Sequence, residues 1–505
     1  MNTPQHQIKD DHRTQCDRVY LRSMRSGWIG FTGIVFALAL MSNLSGCEFL
    51  DDPEVVVDVP TGTILYSQHV QPIFDRKCST CHSGDAPLAG LGLDFWDRAI
   101  AGSERGEVFI PFNPEKSVML RLMTSYDRDP HPGGKNQLTK NELDVLTKWI
   151  AEGARGPAGT VPFEESTNRL YVAHEGGPFI TVVETEAEVI LARLDLTDYG
   201  FSPRARARHV AVEPDGSFWY ASIGSTRWDE PSVVAKFSRH NILVRQVEVD
   251  SPGQLLIHPD RDELYVSVAP DIDSDGIFHR RPDAPRHLIR LRRSDLQATN
   301  VRVIYREAYP LALRSQGDVI FSSSMEVDQM MIVDAASTNV TMYDVRGLKH
   351  LFRYFAPSPD GKWMWGSGYW SGTATLFDVA RPTLPVQRQS LFVGYDPRQA
   401  VYHPDGQRIY MAVRGSDVIQ VIHQSLGYIE YPIRHIAMQQ PVGVAISDDG
   451  STLYVSAENE VADWEGYYRF PEDPAPGFIL VIDTQTRQVR KVLETAPRAA
   501  AMAIR

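Results

Sequence analysis

One repeating motif constrains the fold of this chain more than any other feature of its sequence. An apolar strand runs into Pro-Asp-Gly or a relative of it, and a second apolar strand follows. His209–Gly216 (HVAVEPDG) leads into Phe218–Ala221, Leu255–Asp260 (LLIHPD) into Leu264–Val268, and Leu311–Gly317 (LALRSQG) into Val319–Phe321. Tyr354–Gly361 (YFAPSPDG) leads into Trp363–Trp365, Ala400–Gly406 (AVYHPDG) into Ile409–Ala412, and Val442–Gly450 (VGVAISDDG) into Leu453–Ser456. Third apolar segments recur at Met331–Asp334, Ala374–Asp378 and Ile479–Asp483. Asp-Gly pairs suit tight hairpins that need positive φ. A period of roughly 45 residues, stretched where loops intervene, predicts the four-stranded blades of a β-propeller.

Two fragments complete the pattern. Asn168–Ala173 (NRLYVA) begins the array without an inner strand before it. Pro497–Arg505 (PRAAAMAIR) ends it with an inner-strand pattern and no follower. Joining the two predicts a seventh blade, which closes the ring and removes open sheet edges. The expected fold over residues 165–505 is an all-β seven-bladed propeller closed by N- and C-terminal strands. Leu-Tyr-Val-Ser at 264 and 453 and Leu-Tyr-Val-Ala at 170 resemble the YVTN family of propellers, a likeness that speaks for fold and little for function.

Upstream, Cys78-Ser-Thr-Cys81-His82 reads C-x-x-C-H, the attachment signature of a c-type haem. Cys78 and Cys81 would form thioether bonds to the porphyrin vinyl groups. His82, directly after the second thioether, would lie under the iron as its proximal ligand. A redox dithiol and half of a zinc site share this spacing, but no second cysteine pair completes a zinc site. The other two cysteines are Cys16 and Cys47, and no disulfide is expected. One covalent haem c is the predicted cofactor.

The N-terminus reads as an address. Arg18, Arg22 and Arg25 precede the apolar run Trp28–Met41, a charged n-region and an h-region too short for a comfortable membrane span. Leu44-Ser-Gly-Cys47 resembles a bacterial lipobox, which implies removal of residues 1–46 and lipidation of Cys47. An ordinary signal peptide and an uncleaved anchor are the alternatives. Acyl chains on Cys47 would hold the protein to a membrane, each buried CH₂ contributing roughly 0.8 kcal/mol. Glu48, where sorting by analogy would read an Asp, points to the outer membrane. Haem c is attached outside the cytoplasm, so the export signal and the haem motif agree. Residues 47–62 are acidic, hold two prolines and show no helical period, as a tether would. A formal net charge of -13 disfavours nucleic acid and anionic membrane surfaces and suits a soluble redox protein docking to a basic partner.

Residues 63–156 should form a small all-α domain. Val70, Ile73 and Phe74 mark a helical face leading into the haem motif. Thr139-Lys-Asn-Glu142 is a capping box, Leu143, Leu146, Trp149 and Ile150 follow at helical spacing, and Gly153 is a plausible stop. The stretches HVQPIFDRKCSTCH and LTKNELDVLTKWIAEGA resemble the planctomycete-type cytochrome c domain at both ends. That family implies a methionine ligand in an Arg-Met-Pro-Pro-Gly turn before the last helix. Here the turn is Asp129-Pro-His-Pro-Gly-Gly134. The sixth ligand therefore stays open between His131, Met123 and Met119, or a vacant site. A methionine would raise the haem potential relative to a second histidine.

Residues expected just before the inner strands ring one mouth of the propeller channel: Arg206, Arg208, His209, Gln254, Arg353 and Arg398. Such a basic collar in an acidic protein would take an anion or an acidic cofactor, or simply bind water and backbone carbonyls. The layout also resembles haem-containing nitrite reductases, in which a propeller histidine ligates a second haem. His209 has a comparable setting here without the surrounding motif, so a second haem is not expected. Asp271, Asp273 and Asp275 with Gly276 start like a calcium loop, but the twelfth position is Pro282, and a solvated acidic loop reads equally well. The chain has no G-x-S-x-G, no H-E-x-x-H and no phosphate-binding glycine loop. Three functions fit: electron transfer with the propeller as a platform, an oxidoreductase using the collar, or a surface recognition module with a structural haem.

Overall fold

The computed structural model describes residues 58–124, 131–227, 230–268, 287–303, 308–324, 327–347, 349–425, 427–459 and 475–505. Cys47 and the acidic loop at Asp271, Asp273 and Asp275 lie outside the described residues. Residues 58–505 make one compact unit that contains both the haem-motif region and the propeller.

Seven four-stranded antiparallel sheets form the ring, as the repeat period predicts. Blades 1 to 6 cover residues 205–248, 252–303, 308–344, 352–392, 397–429 and 441–495 in chain order. Blade 7 takes its inner strand, Ala499–Ile504, from the end of the chain and its other three from residues 169–195. Leu170 sits opposite Ile504 and Val172 opposite Met502 across this closure.

Local chemistry explains why each blade turns where it does. Gly216, Gly361, Gly406 and Gly450 all take positive φ, between +65° and +76°, the region that L-residues with a Cβ disfavour. Gly450 has a second reason to be glycine. A Cβ there would stand 2.5 Å from His403 Nε2, in the turn of the preceding blade. His258 fills the same place between blades 2 and 3, where its Nε2 donates to the Gly317 carbonyl at 2.9 Å. The two His-Pro-Asp segments thus dock the turns of blades 2 and 5 on those of blades 3 and 6.

The tyrosines of the second strands do the same work at mid-blade. Tyr454 donates to the Thr185 carbonyl of the following blade at 3.0 Å; the hydroxyls of Tyr220 and Tyr265 donate to Glu213 and Glu263 of their own blades at 2.5 and 2.6 Å and lie 3.3 and 3.1 Å from the Arg293 and Ala335 carbonyls of the next. The serine that follows in Tyr-Val-Ser has its own task. Every inner strand breaks register near its start, and a bulge leaves an amide off the ladder. Ser267 Oγ accepts from the Gln254 amide at 2.9 Å and Ser456 Oγ from the Gly443 amide at 2.8 Å. Buried amides without such partners would each cost about 1–3 kcal/mol.

Ring closure also contains a buried histidine. His174 is 0% exposed. Its Nδ1 donates to the Pro497 carbonyl at 3.3 Å, so Nε2 accepts from Thr181 Oγ1 at 2.9 Å. Burial drives its pKa down to about 3. The folded state then refuses a proton that the unfolded chain accepts near pH 6.5. Stability from this group is complete above pH 6.5 and falls as pH drops toward 3, by about 1.4 kcal/mol per unit. Between pH 6.5 and 4.5 wild type is expected to lose about 3 kcal/mol from this source. His174→Gln is expected to be weaker at pH 7 but to show a shallower loss on acidification. Urea midpoints measured at both pH values decide it; equal slopes for the two proteins rule the mechanism out.

The haem-motif region packs on the ring from outside. A π-helical turn, Tyr66–Val70, runs into α1, Gln71–Lys77, with Pro72 in its first turn. Val70, Ile73 and Phe74 are buried, as their spacing predicts. Two short helices follow, α2 (Trp96–Ile100) and α3 (Val118–Thr124). The last, α4 (Lys140–Ala151), starts with the expected capping box: the Glu142 amide donates to Thr139 Oγ1 and the Thr139 amide to Glu142 Oε2. Gly153 ends it at φ +100°, with the Phe112 ring where a Cβ would go. The terminal segments cross through Tyr66 and Trp149, ring centres 5.7 Å apart, and through an Arg76–Glu142 ion pair at 3.2 Å.

Contact with the propeller falls on blades 6 and 7. Ile110 belongs to the apolar cluster of Leu170, Val172, Ile190 and Leu493. Glu107 is buried beside it and pairs with Arg193 at 3.0 Å. Burial raises the Glu107 pKa and the Arg193 charge opposes that shift. The haem-motif region is therefore seated on the two blades nearest the ring closure.

Candidate haem site and channel mouth

Cys78, at the C-terminal end of α1, begins a turn in which the amides of Cys81 and His82 both donate to its carbonyl. That turn places Cys78 and Cys81 on the wall of one cavity, Cys78 buried and Cys81 exposed. The cavity has a volume of about 380 Å³. His82 lines it together with the apolar side chains of Leu91, Leu93, Val108, Val118 and Leu122 and with Met119, Met123 and His131. Residues nearly fifty positions apart in sequence are thus brought to a single pocket, and all the candidate sixth ligands lie in it.

One distance is set by the ring geometry. The ring centres of His82 and His131 are 6.0 Å apart, with planes at 76°. Two metal–imidazole bonds of about 2 Å, plus about 1.1 Å from each nitrogen to its ring centre, put coaxial imidazoles about 6 Å apart. Met119 is only 6% exposed and its amide donates to the Val108 carbonyl; Met123 is half-buried on the same short helix.

Two further observations test whether a covalent haem suits these residues. Nδ1 of His82 is buried and meets no hydrogen-bond partner. Burial lowers the His82 pKa, the neighbouring His131 adds to this, and the backbone at Leu91 and Leu88 offsets part of it. The ring is neutral at physiological pH, as a metal ligand must be. The Cys78 thiol is pushed up to about 11 by burial, with Glu142 and Cys81 adding to the shift. A redox dithiol depends on a lowered thiol pKa, so the buried, protonated Cys78 speaks against that use of C-x-x-C. The residues fit the group. Lys77 and Arg105 are the cations of the cavity lining, features that the motif alone does not reveal.

The collar residues are placed differently from expectation. Arg206, Arg208 and His209 lie within the inner strand of blade 1, and Gln254, Arg353 and Arg398 within those of blades 2, 4 and 5, at or next to the bulges. A bulge breaks the alternation of faces and re-aims the side chains beside it. His209 Nδ1 accepts from the Leu255 amide of blade 2 at 3.3 Å. Burial lowers its pKa to about 4, and the proton of the neutral ring sits on Nε2. Gln254 Oε1 accepts from the Leu311 amide at 2.8 Å in the same manner. These two side chains strap one blade to the next. Arg353 lies over the Tyr369 ring at 4.0 Å. Arg398 Nε pairs with Asp396 at 2.8 Å, and this carboxylate outweighs burial to raise its pKa. Sequence reasoning missed Arg498, Arg414 and Glu458 at this mouth, because they follow or precede strands whose ends the repeat pattern does not mark.

No curated protein matches the chain. Among solved structures it is similar to the periplasmic gluconolactonase of Pseudomonas aeruginosa, at 13% identity and a TM-score of 0.50, covering 67% of this chain and 98% of that one. A protein from Lactobacillus plantarum matches at 12% identity, TM-score 0.48, over 67% of this chain and 99% of its own. One from Desulfotomaculum acetoxidans matches at 13% identity, TM-score 0.48, over 65% and 99%. At such identity the likeness to the gluconolactonase is one of fold. Residues 78–131 match the family described as Planctomycete cytochrome C, a cytochrome c domain that implies haem c.

Proposed function

We propose that this protein is an exported electron carrier with one covalent haem c, held by Cys78 and Cys81 between His82 and His131, and with the propeller as its platform. The observation that carries the reading is the pair of imidazoles 6.0 Å apart across a cavity walled by the two cysteines. The haem, when bound, supplies a one-electron couple. The chain does the rest. Cys78 and Cys81 prevent loss of the group, and the apolar wall from Leu91 to Leu122 excludes water, which stabilises the less charged oxidation state. Two imidazole ligands favour a lower potential than a His/Met pair. Arg105 and Lys77, the cations of the lining, would meet anionic substituents of the porphyrin. Exposed Cys81 and Leu88, the latter 62% exposed, mark where a redox partner would approach.

The address fits the chemistry: a leader over residues 1–46 would export the chain, a lipid on Cys47 would anchor it at the outer membrane, and both would keep it outside the cytoplasm, where haem c is attached. Spectroscopy on the purified holoprotein tests the ligand set. Wild type is expected to give the low-spin electron paramagnetic resonance signal of two imidazoles. His131→Ala is expected to turn high-spin and to recover the signal with added imidazole. A sulfur-to-iron charge-transfer band in wild type, lost in Met123→Ala and kept in His131→Ala, would sink the assignment.

A further inference from the structure

The channel mouth carries chemistry that electron transfer at residues 78–131 does not use. Arg206 is half-buried in the inner strand of blade 1. Its Nη1 donates to the carbonyls of Pro203 at 3.2 Å and Ala205 at 2.7 Å. Those bonds fix the guanidinium, and its Nε–Nη2 edge makes no hydrogen bond to any of the described residues. That edge is the fork that receives a carboxylate or phosphate in two parallel bonds.

Arg498 stands next to Arg206 in the ring, one residue before the inner strand of blade 7, which packs on that of blade 1. Burial, and then the Arg498 charge, lower the Arg206 pKa. Arg498 meets Glu175 at 3.6 Å. Elsewhere at the mouth, Arg414 pairs with Glu458 at 2.6 Å and Arg398 with Asp396 at 2.8 Å. Among the described residues Arg206 meets no carboxylate and is bonded to carbonyls alone. In a partly desolvated channel such a guanidinium gains from an anion joining it.

We propose that the channel mouth at Arg206 and Arg498 binds a small dianion through carboxylate or phosphate oxygens, with Arg206 as the two-pronged anchor. This goes beyond the haem reading and does not depend on it.

Isothermal titration of the full-chain holoprotein at low ionic strength, with inorganic phosphate and with succinate as separate probes, tests it. Saturable heat from one probe or both is expected, and the stronger of the two identifies the headgroup. Arg206→Gln is expected to weaken binding about tenfold or more, with circular dichroism and haem spectrum unchanged. Arg388→Gln, on the outer strand of blade 4, is expected to bind as wild type does. Should Arg206→Gln not fold, Arg206→Lys decides: it keeps the charge but loses the fork, and affinity should fall about threefold or more. No saturable heat from either probe, or wild-type affinity in the Arg206 variant, overturns the proposal.

Discussion

Truncation after Ala496 is expected to leave a propeller that does not fold cooperatively. Only the short segment Ala499–Ile504 is lost from blade 7, yet it is the strand on which the ring closes. Ala499, Ala500, Ala501 and Met502 are each at most 3% exposed, and burial of a Met alone contributes about 1.5–3 kcal/mol. The ladder to Arg169–His174 goes too, at about 0.5–1.5 kcal/mol per hydrogen bond. Ser456 Oγ and His174 Nδ1 lose the Ala500 and Pro497 carbonyls they donate to, leaving buried donors unpaired. Together these reach about 5–10 kcal/mol, comparable with the whole stability of a typical domain at about 5–15 kcal/mol. The truncated strand edge would also be open to pairing with other chains. Far-UV circular dichroism during a urea titration measures this. A single sharp transition at the wild-type midpoint would mean that the closure contributes little.

Replacing both thiols, as Cys78→Ser with Cys81→Ser, is expected to abolish covalent haem retention altogether. In wild type the porphyrin would stay with the polypeptide through acidified organic extraction. In the double variant all of it should partition into the solvent, although His82 and His131 still flank the cavity. A single Cys81→Ser change should leave one thioether and a red-shifted haemochrome spectrum. Folding of the propeller should be untouched, because Cys81 is exposed and the cavity that both thiols line includes no residue of blades 1 to 7. Haem that remains on the double variant after extraction would mean that attachment does not run through this motif.

The repeat and the domain ends were legible because their causes are local. Asp-Gly at 215–216 and 405–406 states a turn with positive φ, and the alternation of apolar strands states a blade. The incomplete motifs at Asn168 and Arg505 state how the ring must close. Thr139 and Glu142 announce a helix start in adjacent turns of chain. The C-x-x-C-H motif places two thiols and an imidazole on one turn, and one turn is enough to specify its chemistry.

Distances between segments were not legible. Nothing near Asp129–Gly134 tells that His131 ends 6.0 Å from His82, since the two are held by different loops packed on a common apolar wall. Arg206 and Arg398 were visible as a basic collar, but their positions inside the strands follow from bulges that only the pairing register reveals. The Glu107–Arg193 pair spans 86 residues and lies at an interface between two separately recognisable regions. Turn chemistry and strand period act between neighbours along the chain, so the sequence alone determined the seven blades, their closure and the haem motif. Which side chains meet across the cavity and the channel depends on how independently formed pieces pack, and that only the tertiary structure decided.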